Sequence, residues 1–208
     1  MCDASDWRRI GERRLFGCGT HAPSRYIGFG YLGPILRLLP PGAYTGEWIG
    51  DLCVPDDLYW IARQPVALAG MSYPGRADWH LLHSHGIGHV VCLTHDVAPY
   101  DAAPCSVTAL RLQDLASGGS PAEPESEQVL VRRAADDVVD HLTRGIGVAV
   151  HCMGGRGRTG TVVGVALVRL GHAPDDIVEY LHSTAVARGR RGWPESPWQE
   201  GLVRATTA

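Results

Sequence analysis

The five residues Ile146 to Val150 lead into His151-Cys152-Met153-Gly154-Gly155-Arg156-Gly157-Arg158-Thr159, and from Thr159 to Leu170 the chain is apolar on almost every side. A short, wholly apolar run that starts after a glycine (Gly145) reads as a strand buried on both faces. A helical stretch with no polar face reads as a helix buried all round. A buried strand joined by a glycine-rich loop to a buried helix restricts the fold to a layered α/β sandwich, with the loop at the strand's carboxyl end.

The flanking sequence repeats that alternation. Pro65 to Gly70 reads as a buried strand, Arg76 to His85 as a short helix closed by Gly86, His89 to Thr94 as a second strand and Val107 to Leu112 as a third. Ser117 to Pro124 has the composition of a loop. Glu125 to Arg144 carries Val131, Ala134, Ala135, Val138, Val139 and Leu142 at helical spacing, and Gly145 ends it. Ala173 to Arg188 is a further helix, with Pro174 near its start and Asp175 and Asp176 in its first turn. The expected fold is a central, mostly parallel sheet with helices on both faces. Residues 1 to about 40 show no period and read as an N-terminal extension; residues 41–208 read as the domain.

The loop has what a phosphate monoester needs. Cys152 stands between a strand end and a helix N-terminus, where the macrodipole and unpaired N–H groups stabilise a thiolate. Gly154, Gly155 and Gly157 let the backbone from Met153 to Arg158 curl with its N–H groups, including that of Arg156, pointing inward as an anion nest. Arg158 can return over the nest and bind two phosphate oxygens. Thr159 can donate its hydroxyl to the sulfur, and His151 can order the loop through hydrogen bonds instead of acting as a base. No metal or other cofactor is required.

His151 to Thr159 resembles the signature of the protein tyrosine phosphatase superfamily, and the chain resembles a compact dual-specificity member over roughly residues 45 to 204. "ALAGMSYPGRADWHLLHSHGIGHVVCLT" is similar to that family's strand–helix–strand entry, and "VARGRRGWPESPWQEGLV" to its Arg-rich segment followed by a Gln-containing helix. The Gly-Gly-x-Gly-Arg interior resembles the cyclin-dependent kinase-associated phosphatase subgroup. The resemblance implies a phosphocysteine intermediate and an aspartic acid, on a loop after a strand, that protonates the leaving group. Asp114, after the strand Val107–Leu112, is the candidate; Glu123, Glu125 and Asp96 are the alternatives. In the kinase-associated subgroup the Asp directly precedes Gly-Gly, a position Ser117 fills here. An acid in this role is expected to be buried or phosphate-facing.

The remaining features narrow the partners. Net charge is −3, all nineteen basic residues are arginine, and no apolar stretch is long enough to span a bilayer. Nucleic-acid binding and a membrane span are therefore not expected. Six scattered cysteines suit a reduced, cytoplasmic protein. His80, His83, His85 and His89 cross a helix–turn–strand boundary and do not read as metal ligands. Arg188, Arg190 and Arg191 read equally as a second anion site or a solvated cluster, Gln199 as a surface helix residue sooner than the residue that, as the resemblance implies, places the hydrolytic water, and Cys92 as a packed strand cysteine sooner than a redox partner of Cys152. The expected substrate is a phosphorylated protein. The alternatives are a phosphoinositide, inositol phosphate or RNA 5′-phosphate, which favour more loop cations than Arg156, or a silent phosphate-binding module.

Overall fold

The computed structural model describes residues 36–94 and 100–208. A two-stranded hairpin, β1 (Trp48–Ile49) and β2 (Leu52–Cys53), precedes a five-stranded sheet. The sheet is built from β3 (Leu58–Ala62), β4 (Leu68–Met71), β5 (Ile87–Cys92), β6 (Ser106–Ala109) and β7 (Gly147–His151), in the order β3-β4-β7-β5-β6. β3 runs antiparallel to β4, and every other pairing is parallel. β7 is thus the central strand, and its last residue, His151, pairs with Met71 on one side and Cys92 on the other.

Side-chain alternation divides the sheet into two apolar layers. Leu68, Val148 and Val150 face a layer built from α2 (Pro124–Thr143), α3 (Gly157–Arg169), α4 (Pro174–Ala187) and α5 (Pro197–Arg204). Ala67, Ala69, Met71 and Ala149 face the opposite layer, with Trp79 and Leu82 of α1 (Trp79–Ser84) and Ile49 and Leu52 of the hairpin. Helices therefore cover both faces, as expected. α3 is the innermost helix, buried from Gly157 to Val168. Its four valines and Leu167, each worth about 1.5–3 kcal/mol when fully buried, fix the rigid post against which the loop is set.

Most expected elements appear with ends shifted by a few residues. Two differences affect the site. α3 begins at Gly157, not Thr159, so Arg158 and Thr159 sit in its first turn. β3 lies outside the expected set: all five of its residues are buried, so it shows no alternation. The described residues fall within one unit, Gly33–Ala208. Residues 1–35 of the expected extension lie outside the described residues. Of the last part, Leu36 is buried in the helical layer and the Leu39 N–H donates to the Ile61 carbonyl.

Candidate active site

The loop hangs from the carboxyl end of β7. Leu93 N–H donates to His151 O on one side, and Tyr73 N–H donates to Met153 O on the other. Cys152 is 3 % exposed at the loop's start, while Met153 is exposed at its rim. Gly155 has φ +61°, and a Cβ there would lie 2.6 Å from the Met71 carbonyl carbon, so only glycine lets the loop turn against β4. Among the described residues, no protein acceptor engages the N–H groups of residues 153 to 157.

His151 is fully buried. Its Nε2 lies 2.5 Å from Tyr100 Oη and its Nδ1 3.4 Å from Cys152 O. Burial pushes the imidazole down to about 4, so the ring is neutral at pH 7. The network then assigns Nδ1–H as donor to Cys152 O and the Tyr100 hydroxyl as donor to Nε2. Tyr100 stacks on Trp79, with centroids 5.3 Å apart. His151 thus ties the base of the loop to the α1 layer, an ordering contact and not a basic group.

Arg158 is buried, and its Nη2 donates to Asp114 Oδ2 at 2.9 Å. The Asp114 side chain is 55 % exposed, so of the two expected settings, buried or phosphate-facing, it is not the buried one, and its Oδ1 accepts Ala116 N–H at 3.0 Å. Its loop is pinned by buried Leu112 and Leu115 and by Gln113 N–H donating to Glu127 Oε1 at 2.8 Å. Burial raises the Glu127 carboxyl. Glu123 and Glu125 are exposed at the start of α2, and Asp96 lies outside the described residues. Thr159 Oγ1 is buried with no hydrogen-bond partner, so the expected bond to the Cys152 sulfur is not formed.

Three side chains that sequence reasoning misassigned or passed over surround the loop from behind. Arg188 is neither solvated nor free for an anion. It is 5 % exposed, with Nε donating to Pro55 O at 2.8 Å, Nη1 to Gly155 O at 2.7 Å and Nη2 to Asp56 O at 2.8 Å. Gln199 is not a surface residue. It is 1 % exposed, and its Oε1 accepts the N–H groups of Glu195 and Ser196 as half of a capping box. Glu195 holds Arg156, whose Nε and Nη2 lie 2.8 and 2.7 Å from Glu195 Oε1. The only local signal among these was Ser196-x-x-Gln199 ahead of an apolar turn, the sequence form of a capping box.

Other candidates fall away from the site. Cys92 sits beside His151 on the neighbouring strand, and its Sγ donates to Thr94 O at 3.0 Å; Cys92 and Cys152 are both free thiols. The four histidines do not converge: His80 and His83 are exposed, and His85 Nδ1 accepts from Arg63 Nη2. His89 instead joins Asp137 and His141, whose ligand-type atoms lie within 4.8 Å of one another. Its nitrogens are engaged by Asp137 and Ser106, and its ring stacks on His141 at 3.6 Å.

The family model of PTP-SAK, described as a Swiss Army Knife protein with a DSP-PTPase phosphatase domain, matches residues 55–194. The chain belongs to that family. It is a cysteine-based phosphatase of the protein tyrosine phosphatase type, on an α/β fold shared with the dual-specificity phosphatases. Among solved structures, human DUSP28 superposes with a TM-score of 0.54 at 15% identity, covering 72% of this chain and 93% of that one. Kinase associated phosphatase (KAP) gives 0.52 at 18% identity, with the same 72% and 93% coverage. PTPMT1, solved in complex with PI(5)P, gives 0.51 at 14% identity, covering 66% and 87%. No helix among the described residues of this PTP-SAK chain is long and apolar enough to cross a membrane.

Proposed function

We propose that this PTP-SAK chain hydrolyses phosphomonoesters on proteins through a phosphocysteine intermediate, with Cys152 as nucleophile and Asp114 as general acid. The observation that carries the assignment is the Arg158–Asp114 ion pair at 2.9 Å, which joins the loop's arginine to the one candidate acid paired with it among the described residues. The substrate phosphate displaces Asp114 from Arg158. Arg158 then binds two of its oxygens, while the N–H groups of Met153, Gly154, Gly155, Arg156, Gly157 and Arg158 take the rest.

The Cys152 thiolate attacks phosphorus, the ester P–O bond breaks, and the leaving oxygen takes the proton from Asp114. Water then attacks the phosphocysteine and gives a proton to the Asp114 carboxylate. The P–S bond breaks, and phosphate and thiolate are restored. Thr159, whose buried hydroxyl has no other partner, turns to the departing sulfur. His151 remains neutral and structural. The intact trio of Cys152, Arg158 and Asp114 speaks against a silent binding module. The domain responsible is residues 41–208, its substrate is a phosphorylated protein, and the four free cysteines among the described residues suit a reducing, cytoplasmic setting.

The test is turnover of para-nitrophenyl phosphate and a phosphotyrosine peptide. Cys152→Ser should abolish both, and residual turnover above about one part in a thousand would remove the nucleophile assignment. Asp114→Asn should lower kcat by about 10²–10⁴ and flatten the alkaline limb of the pH profile. A wild-type rate and profile would move the acid elsewhere, with Glu127 the next carboxyl along the Arg158 wall.

A further inference from the structure

The loop contains one cation besides Arg158, and the structure does not leave it free. Arg156 Nε and Nη2 both donate to Glu195 Oε1, at 2.8 and 2.7 Å, and the pair is largely shielded, with side-chain exposures of 24 % and 13 %. The carboxylate is built into place. Its own backbone N–H is held by Gln199 Oε1 at 2.8 Å. Its Oε2 presses on Gly157 so closely that a Cβ there would lie 1.7 Å away. Trp193, two residues upstream, lies against a second glycine of α3, where a Cβ at Gly160 would be 2.6 Å from its Nε1. Two glycines in the first turn of α3 therefore admit the segment that carries Glu195 to the loop.

We infer that Glu195 sets the substrate class of this site: it occupies Arg156 and so withholds a landing point for a second phosphate. The inference rests on the phosphatase reading above and sharpens it. A substrate with one phosphate is served in full by Arg158 and the backbone nest. A polyphosphorylated ligand needs a further cation at the rim, and here that cation already has a carboxylate partner. The same carboxylate adds negative charge beside the loop and disfavours a second anion.

The test uses the full chain with Cys152→Ser, so that ligand is bound and not turned over, and compares inositol monophosphate with inositol bisphosphate by calorimetry. With Glu195 intact, the bisphosphate gains little over the monophosphate. Glu195→Gln keeps the shape and frees Arg156, and the preference for bisphosphate should rise about ten-fold, the worth of one charge-assisted contact. Adding Arg156→Ala should erase that gain. Arg156→Ala alone should not raise the bisphosphate-to-monophosphate ratio and should lower it, because it leaves the Glu195 carboxylate unpaired beside the loop; this arm does not depend on Glu195→Gln folding. An unchanged ratio in folded Glu195→Gln, or a rise in the ratio for Arg156→Ala alone, overturns the inference. So does failure of either ligand to bind a protein whose Cys152 form turns over phosphopeptide. Absence of phosphopeptide turnover by the Cys152 form is a different result, and it refutes the phosphatase reading instead.

Discussion

Replacing Arg188 with methionine removes a buried cation whose partners are all backbone carbonyls: Pro55 O, Asp56 O and Gly155 O, at 2.7 to 2.8 Å. Its guanidinium also lies 4.1 Å from the centroid of the Tyr59 ring. Hydrogen bonds to a charged group contribute about 1.5–3 kcal/mol each, and a buried carbonyl left without a donor costs about 1–3 kcal/mol. Against that, methionine fills most of the volume and no guanidinium has to be desolvated, which returns several kcal/mol. The net expected destabilisation is about 3 kcal/mol, measured as a shift of the urea midpoint at unchanged slope. Because Gly155 O loses its anchor, kcat on para-nitrophenyl phosphate should also fall about ten-fold or more under conditions where the variant is fully folded. Arg188→Lys, with one ammonium for three acceptors, should recover only part of both losses. If Arg188→Met stays within about 1 kcal/mol of wild type and keeps its kcat, the view of Arg188 as the strut behind the loop is refuted.

Gly157→Ala places a methyl against the Glu195 carboxylate, whose other oxygen is held by Arg156 and whose backbone N–H is held by Gln199. It should cost about 1–3 kcal/mol in a denaturant titration, and a neutral result would mean that Glu195 is not wedged there. His151 makes stability depend on pH. Its folded value of about 4 lies below the unfolded value of about 6.5, so between them only the unfolded state binds the proton. Stability from this group is therefore full above about pH 6.5 and is lost as pH falls towards 4. In His151→Gln the loss of stability between pH 7.5 and pH 5 should shrink by about 2 kcal/mol, read from urea midpoints at the two values, and an unchanged difference would assign the effect elsewhere.

The parts of this site that were legible in the sequence are those whose cause is local. β7, the glycine-rich turn and α3 follow one another along the chain, so apolar runs and glycine positions sufficed to place Cys152 and Arg158. β3 escaped although it is as wholly buried as β7: unlike β7 it leads into no glycine-rich loop, and its standing as a strand rests on its pairing with β4. Asp114 could be chosen for lying after a strand, but its pairing with Arg158 spans 44 positions, and its exposure depends on how the loop after β6 packs on α2.

Arginines show the limit most clearly. Arg156 and Arg158 are two residues apart, yet one is held by Glu195, 39 positions downstream, and the other by Asp114, 44 positions upstream. Arg188 stands in an arginine-rich stretch that reads equally as a second anion site or a solvated cluster, and only Pro55, Asp56 and Gly155 converging on it turn it into a strut. A guanidinium looks the same in any sequence; whether it receives a phosphate, neutralises a carboxylate or props a loop is settled by its partners. Counting cations in the loop was therefore the right question about substrate class, but the quantity that decides it is the number left unpaired. Beyond Arg158, which the substrate itself must free from Asp114, Glu195 brings that number inside the loop to zero.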